Sequence, residues 1–479
     1  MSRFGASVAS KVVGRVGPAL VAASVAFLSL VAGASRASAQ HGRPHPGRPE
    51  AAARSSATGA ATLAAKQTLA TATSECAAPT VQWIDQFGSS DVTVVWAVAQ
   101  DGKDVYVYGD TTGALPGQSS AGGSDLFLRK YDTNGHLVWT RQFGTAGDES
   151  AFGAATMDAE DGAIYMGGFT SGTFPGHTFA GGPFDAFLIK YDADGNEVWT
   201  RQFGTDTFDD IHGVAVRNGR VLVAGSSGAA LPGQPYAGGV EDGYVRRYDG
   251  DGNVIWTREF GTPGNDHPIV IAVARDAVYV GGFTDEALGG QVAAGGGDAF
   301  VRKYDERGRL QWTRQFGTPG FEETWGLAAD EDAVYVHGHT DGVLAGTANA
   351  GELDFFVRKY DARGHERWTR QYGSPGLDLA GMAEVRDGVV YLAGQPGGAL
   401  PGQAEFGSWD ASVRTYDARG RLGFTLQYGS PGLDWANNIA LGEGKVFVSG
   451  AAGGPMLGTV ASGGFLDGYV LRLRVKDDD

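Results

Sequence analysis

A repeat of 56 to 60 residues constrains the fold of this chain more than any other feature. An aromatic residue followed by glycine returns seven times, and an aspartate before an apolar segment returns in phase with it. The aromatic residues are Phe87, Phe143, Phe203, Phe260, Phe316, Tyr372 and Tyr428, and the aspartates are Asp125, Asp185, Asp242, Asp298, Asp354, Asp410 and Asp467. Repeats of about this length with several short strands are typical of β-propeller blades.

Each repeat contains four candidate strands, which are clearest in the fifth. There the predicted strands are residues 325–329, 333–339, 354–360 and 366–372, and the last three are rich in β-branched or aromatic side chains. The third and fourth are joined by an Asp-x-x-Gly segment, Asp361 to Gly364, in which glycine can adopt the positive φ of a tight hairpin. No segment has a helical period. Each repeat is therefore predicted to be a four-stranded meander.

The two ends of the repeat region predict a closed ring. The last repeat stops after its third strand, residues 467–475, whereas residues 81–88 match the fourth-strand pattern of residues 139–144. We therefore predict an all-β fold over residues 81–475, a seven-bladed β-propeller of four-stranded blades whose last blade is completed by the N-terminal strand. Such closure leaves no incomplete blade edge to aggregate.

The segments outside the repeats predict an exported protein. Residues 1–39 have a basic start, an apolar stretch over 19–31 and a small-residue cleavage signature at 37–39, which indicate a signal peptide. The apolar stretch is shorter than the ~20 residues of a membrane span, so we expect no span after cleavage. Residues 40–80 have the composition of a disordered linker, and residues 476–479 form an acidic tail. A secreted or cell-envelope location follows.

Charge and cysteine content exclude several classes of partner and site. The net charge of -17 argues against nucleic acid and anionic membranes and favours cations or neutral ligands. The single cysteine, Cys76, excludes an intrachain disulfide and a cysteine-based metal cluster. We expect a monomer.

An acidic residue lies six positions after the aromatic residue in six of the seven repeats, and Thr93 takes its place in the first. Because these acids precede the innermost strands, we expect them to circle one mouth of the axial channel. Carboxylates are ligands of hard cations, so a calcium site is one hypothesis. The alternative is that each carboxylate caps backbone N–H groups of its own turn. The six acids, as candidate metal ligands, are Glu149, Asp209, Asp266, Glu322, Asp378 and Asp434.

Bulky rings vary from repeat to repeat at one nearby position. Trp96, Phe152, His212 and Trp325 each follow the aromatic-glycine aromatic by nine residues, and Trp435 lies two residues earlier in its repeat. One hypothesis is an aromatic platform for a sugar or another ligand with an apolar face, in which Trp96, His212, Trp325 and Trp435 bind the ligand. The alternative is packing between blades.

Three further patterns support narrower predictions. The long connections between second and third strands, such as residues 114–118, should lie on the same face as the acids, where binding sites are common on rigid scaffolds. Their near-identity between repeats equally suits a structural turn. His337 and His339 alternate on one strand, which suits either two metal ligands or surface or packing positions. The fourth-strand arginines, such as Arg141, are predicted to form ion pairs with the third-strand aspartate of their own blade, here Asp125.

Several segments together resemble a known family. Residues 326–330 followed by 334–340, the Gly-x-Thr endings at Gly168 and Gly282, and the third strand at residues 298–305 resemble the bacterial seven-bladed β-propeller repeat (SBBP) proteins. The resemblance covers nearly all of residues 81–475. It implies an extracellular or cell-envelope location, but it brings no shared activity and no catalytic residues.

Three classes of function remain open. The chain lacks the G-x-S-x-G, H-E-x-x-H and Walker signatures, so the leading hypothesis is a secreted, non-catalytic binding or scaffold propeller that recognises glycans or cell-surface partners. The second is an extracellular polysaccharide hydrolase or lyase that uses carboxylates at the channel mouth. The third is a quinoprotein-like dehydrogenase, suggested only by the Asp-x-x-Gly-x-x-x-Trp hairpin. Whether the chain is an enzyme is left open.

Overall fold

The computed structural model describes residues 79–153, 155–442 and 444–475, and all regular elements in these ranges are β-strands. No helix in these ranges is long and apolar enough to cross a membrane. The predictions for the signal peptide, for nearly all of the linker and for the acidic tail lie outside the described residues.

The strands form seven antiparallel blades, which we number in chain order and describe from the innermost strand outward. Blade one is β2 Thr93–Asp101, β3 Asp104–Thr111, β4 Asp125–Asp132 and β5 Leu137–Phe143; blade two is β6 Glu149–Ser150 with β7 Met157–Glu160, then β8 Ala163–Thr170, β9 Asp185–Asp192 and β10 Glu197–Phe203; blade three is β11 Gly213–Arg217, β12 Arg220–Ser227, β13 Asp242–Tyr248 and β14 Val254–Phe260; blade four is β15 Asp266–Ala274, β16 Ala277–Thr284, β17 Asp298–Asp305 and β18 Leu310–Phe316. Blade five is β19 Glu322–Ala329, β20 Ala333–Thr340, β21 Asp354–Asp361 and β22 Glu366–Tyr372; blade six is β23 Leu379–Arg386, β24 Val389–Gln395, β25 Ala411–Tyr416 and β26 Leu422–Tyr428; blade seven is β27 Asp434–Gly442, β28 Lys445–Ala452, β29 Asp467–Arg474 and β1 Thr80–Phe87.

The predicted four-stranded meander is confirmed, with one boundary that differs. In blade five the inner strand begins at Glu322 and not at residue 325, because Glu322 pairs with Thr340 at the end of the second strand. The other strands of this blade match their predicted bounds to within one residue.

The N-terminal strand closes the ring as predicted. β1 pairs antiparallel with β29, from Thr80 opposite Arg474 to Phe87 opposite Gly468. The inner strands contact one another in sequence around the axis, and β27 of blade seven contacts β2 of blade one. The chain is therefore a seven-bladed propeller closed by strand pairing between its two ends.

Strand direction gives the propeller two distinct faces. The inner strand of blade one starts at Thr93, which pairs with Thr111, so residues 112–124 between β3 and β4 emerge where β2 begins. We call this end the loop face. The hairpins that join third to fourth strands, such as residues 132–137, lie at the other end, the hairpin face. The six repeated acids lie on the loop face, as expected from the sequence.

The predicted ion pair between Arg141 and Asp125 of the same blade is wrong. Arg141 lies opposite Leu128 in the strand register, and its Nε donates to the carbonyl of Gly195 in the next blade at 2.9 Å. Asp125 instead accepts from the amide of Gln142 at 2.8 Å. The same contact between blades is made by Arg201, Arg258, Arg314 and Arg370.

The Asp-x-x-Gly hairpin is shaped for this contact between blades. Gly364 has φ +79, and a Cβ there would lie 2.9 Å from the indole of Trp312 in the preceding blade. Its carbonyl accepts from Arg314 at 2.6 Å, and the Arg314 guanidinium lies 5.4 Å from the Trp312 ring centroid. The repeated hairpin therefore joins neighbouring blades.

Candidate functional site

The six repeated acids, here called the turn acids, are completely buried. Glu322 accepts from the backbone N–H of Thr318 at 2.6 Å and from the Thr318 hydroxyl at 2.7 Å, and it also bonds the Thr340 hydroxyl. The other five repeat the first two bonds with a threonine or serine four residues upstream. These bonds correspond to the turn-capping alternative.

The aromatic-glycine motif brings a second carboxylate beside each turn acid. A Cβ on Gly317 would lie 2.2 Å from Asp298 Oδ1 and 2.6 Å from Glu322 Oε2, so only glycine leaves room for both. Burial raises the pKa of all six turn acids, to about 7 for Asp378, where the charge of Asp354 adds to the effect. Asp298 Oδ1 is buried without a hydrogen-bond partner.

Calcium binding by the turn acids stays a prediction. Among the described residues, no group of three acidic, histidine or cysteine side chains that includes a turn acid brings its potential ligand atoms within 4.8 Å of one another. The unpartnered oxygen beside Gly317 is Asp298 Oδ1. Either a proton shared with the neighbouring carboxylate or a bound cation would supply its missing partner.

We expect Asp378→Ala to lower the free energy of unfolding by about 2–4 kcal/mol, equally in millimolar calcium and in chelator. The change leaves the Ser374 N–H and hydroxyl, both bonded at 2.7 Å, without their buried acceptor. Thermal unfolding of wild type and variant under both conditions measures this. A calcium-dependent rise in the wild-type Tm that the variant loses would instead establish the calcium site.

Four of the five rings considered in the sequence as an aromatic platform meet at the propeller axis. We call this cluster of Trp96, Phe152, His212 and Trp325 the aromatic plug. The Phe152 ring centroid lies 4.9 Å from that of Trp96, 5.6 Å from that of His212 and 5.7 Å from that of Trp325. Phe152 belongs to blade two and Trp325 to blade five, so their contact spans the axis. Phe152 and Trp325 are half-buried, whereas Trp96 and His212 are buried. The four rings therefore lie across the axis near the loop face.

Trp435 is not brought into this cluster. It pairs with Ala451 in blade seven, and the described residues include no ring contact between Trp435 and the plug. Its indole N–H, like that of Trp325, is buried without a hydrogen-bond acceptor.

Phe152 reaches the axis because the inner strand of blade two is interrupted. The strand is divided into β6 and β7, and Gly153 between them has φ +153. Ala155 leaves its own blade to bridge Gly213, and its carbonyl accepts from Val214 N at 2.6 Å. This interruption joins blade two to blade three beside His212.

A buried cluster of histidines and carboxylates extends from the plug into blades three and four. His212 Nε2 lies 2.9 Å from Asp210 Oδ2, and His267 Nδ1 lies 2.8 Å from Glu241 Oε1. The Ser226 hydroxyl lies between the two acids, 3.1 Å from Asp210 Oδ2 and 2.9 Å from Glu241 Oε2. The two imidazoles meet edge to face with centroids 4.6 Å apart.

Electrostatics within this cluster favour charged side chains. Burial opposes protonation of His267, but the adjacent Glu241 carboxylate, with smaller contributions from the charges of Asp210 and Glu323, outweighs burial and raises the pKa of His267 to about 9. Burial also opposes ionisation of Asp210, but the His212 and His267 imidazoles hold the pKa of Asp210 below its ordinary value. The cluster therefore retains ionised groups inside the protein.

His337 and His339 separate into two environments. His339 Nε2 lies 3.2 Å from Glu323 Oε2, while its Nδ1 accepts from Ala380 N at 3.4 Å. His337 Nδ1 donates to the carbonyl of Gly381 at 3.1 Å, and burial lowers the pKa of His337 to about 3. His337 is thus a neutral packing residue, in agreement with the packing alternative.

Sequence reasoning did not single out Asp210, Glu241, His267 and Glu323. Asp210, His267 and Glu323 each follow a turn acid directly, and none of the other four repeats has a charged residue at that position. Comparing every position across the seven repeats, and not only the sixth and the ninth, would have found these three. Glu241 precedes its third-strand aspartate by one residue and is the only charged residue at that position in the seven repeats, so the same comparison would have found it.

Toward the hairpin face, the axis contains a cavity of about 210 Å³ lined by Asp158 and Glu384. Burial raises the pKa of Glu384 to about 8, and the charge of Asp158 adds to the effect. Burial likewise raises the pKa of Asp158 to about 6, although Val216 N donates to it at 2.7 Å. The folded protein therefore binds these protons more tightly than the unfolded chain does.

We expect Glu384→Gln to stabilise the protein by about 2 kcal/mol at pH 9 and to have little effect at pH 5. Because the folded-state pKa lies above the ordinary value, the wild type loses stability as pH rises from about 4.5 to 8, and the variant escapes this loss. Unfolding in urea at pH 5, 7 and 9 measures the difference, with the exposed Glu405→Gln as the control. A variant less stable than wild type at pH 9 would refute this electrostatic account.

Comparison with known families and proteins gives partial matches. The family model PQQ_2, described as outer membrane protein assembly factor BamB, matches residues 124–295, which is less than half of the chain. The regulatory protein FlaEY of Caulobacter vibrioides is 27% identical over 388 residues, covering 71% of this chain but only 39% of that protein.

Solved structures give weaker matches. BamB from Moraxella catarrhalis is 12% identical with a TM-score of 0.40, covering 83% of this chain and 100% of that one. The WD40 propeller domain of Doa1 is 10% identical with a TM-score of 0.46, covering 84% and 98%. The strand pairing of this chain itself establishes the propeller fold. The chain is thus a seven-bladed β-propeller that is similar to BamB-type repeats over residues 124–295.

Proposed function

We propose that this chain is an exported, non-catalytic binding propeller whose ligand is a glycan held at the aromatic plug. The observation that carries the proposal is the contact of Phe152 and Trp325 across the axis while both rings remain partly exposed. Rings from separate blades converge here only because the propeller is closed. An apolar sugar face packs well on such rings.

Two further observations support binding at this end of the propeller. The indole N–H groups of Trp325 and Trp435 lack protein acceptors, and a ligand or bound water with hydroxyl groups would supply them. The loop face also carries the long second-to-third strand connections, whereas the hairpin face carries short repeated hairpins. A relative named a regulatory protein is compatible with a role in binding.

The two enzymatic alternatives have less support. The turn acids proposed for hydrolysis are completely buried and bonded to hydroxyl and backbone donors, so their oxygens are not presented to a substrate. The hairpin that suggested a quinoprotein is used for contacts between blades, such as Arg141 with Gly195.

The test is a glycan array of bacterial surface polysaccharides probed with the full mature chain, followed by an assay for new reducing ends. We expect retention of at least one glycan class without product release. Product release would contradict the non-catalytic role and favour the hydrolase or lyase, and retention of only cell-surface proteins would contradict the glycan. Export is tested separately by locating the chain in culture fractions, where a cytosolic chain would contradict it.

A further inference from the structure

We propose that Asp210, His212 and His267 form a binding site for one divalent transition-metal ion of the zinc type. Their side chains are 0%, 1% and 3% exposed, and one potential ligand atom from each lies within 4.8 Å of the other two. The site is separate from the turn acids and stands whether or not the aromatic plug binds a glycan.

The buried His212 imidazole has the geometry of a metal ligand. Both ring nitrogens of this buried imidazole lack a hydrogen-bond partner. Nε2 lies 2.9 Å from Asp210 Oδ2, but a ring N–H would not point at that oxygen, so the contact is not a hydrogen bond. Two ligands about 2.1 Å from one metal ion would lie about 3.4 Å apart at the tetrahedral angle and about 3 Å apart at a right angle, so only a small shift of one side chain separates the observed distance from tetrahedral coordination.

The surroundings of the third ligand match those of metal-bound histidines. His267 uses Nδ1 to contact Glu241 Oε1 at 2.8 Å, which leaves Nε2 as the nitrogen for a metal ion. Glu241 is itself linked through the Ser226 hydroxyl to Asp210. The carboxylate of Glu241 would thus orient the His267 ring and increase its basicity.

The donor set indicates the class of metal. Two imidazoles and one carboxylate suit zinc and its first-row neighbours, whereas calcium and magnesium prefer oxygen ligands alone. Asp210, Glu241 and Glu323 bring three carboxyl groups into this buried region, and a divalent cation would offset part of their charge. Three protein ligands leave at least one coordination position open.

The competing account is a network without metal, in which protonated His267 pairs with Glu241 and Asp210. The two accounts differ in what removal of His212 does. In a network without metal, removing His212 costs only its charge contact with Asp210 and changes no metal affinity. In a metal site, it removes a ligand and weakens metal binding.

The experiment uses residues 40–479, the full chain without its predicted signal peptide, and no histidine tag. The protein is stripped with chelator and then titrated with Co²⁺ and Zn²⁺. We expect one Co²⁺ per chain with visible d–d absorption that Zn²⁺ displaces, and a higher Tm with Zn²⁺. His212→Ala and Asp210→Asn should weaken Co²⁺ binding at least a hundredfold. Glu241→Gln should weaken it by about 10–100-fold, as expected for a group that orients a ligand.

Two control variants separate the metal site from folding and from chance binding. His337→Gln removes a buried histidine bonded to a backbone carbonyl and should retain full Co²⁺ binding. His41→Ala with His45→Ala removes two histidines of the N-terminal segment and should also retain it. Melting in chelator establishes that each variant is folded. If folded His212→Ala or Asp210→Asn binds Co²⁺ like the wild type, or the wild type binds none, the proposal is overturned.

Discussion

Deleting residues 77–88 from the otherwise full chain should lower the free energy of unfolding by more than about 5 kcal/mol and cause aggregation. The deletion removes β1, and with it the Phe87 ring that meets Phe127 edge to face at 5.5 Å and the Trp83 ring that packs against Tyr131 and Phe447. Losing one buried aromatic side chain typically costs about 3–5 kcal/mol.

The same deletion would leave polar groups without partners. Tyr131 and Arg129 bond Asp85 at 2.7 and 3.3 Å, and Gln86 donates to Asp467 at 3.0 Å. It would also expose the full edge of β29 to other chains. Thermal melting and light scattering measure both consequences.

Phe87→Ala separates loss of core packing from loss of the edge strand. This variant should lose about 3–5 kcal/mol and remain monomeric, because β1 still covers β29. A deletion variant that melts like its parent and stays monomeric would show that the ring is not closed in this way.

The second large effect is expected at the aromatic plug. Trp325→Ala should weaken binding of the glycan retained on the array at least a hundredfold, because it removes one of the two half-buried rings that meet across the axis. It should cost about 2–4 kcal/mol of stability, since Trp325 also packs against the Phe355, Ala380 and Leu400 cluster. Titration calorimetry on folded variants measures the affinity.

Trp312→Ala is the matched control for this prediction. Trp312 is also half-buried, but it lies near the hairpin face and donates to the carbonyl of Ala362. The exposed Arg363→Ala on the same face is a second control. Both should bind the glycan like the wild type. Equal affinity of Trp325→Ala and Trp312→Ala would mean that the plug is not the binding site.

The sequence predicts the blades and their closure well because each repeat corresponds to one blade and the incomplete repeats lie at the two ends. The pairing of β1 with β29 follows from a missing fourth strand at one end and an extra one at the other. The position of Arg141 was not predictable in this way, because counting along one hairpin does not reveal that its side chain points toward the next blade. Contacts between blades depend on ring geometry that no single repeat contains.

The candidate site was predictable only in part, for a similar reason. Variation at one repeat position identified Trp96, Phe152, His212 and Trp325. The other three rings all contact Phe152, but Trp435 does not join them. Phe152 reaches the axis through a local interruption that depends on Gly153 and on the bridge from Ala155 to Gly213. Because that bridge joins two blades, the pattern within one repeat could not predict it.

Hydrogen–deuterium exchange with and without the glycan retained on the array tests most directly whether ligand binds at the axis on the loop face. We predict slower exchange in peptides covering residues 145–153 and 205–212, which contain Phe152 and His212, and in the loop at residues 112–124. Exchange in the hairpins at residues 132–137 and 361–366 should not change. Protection of these hairpins, with none at the inner-strand starts, would contradict the account.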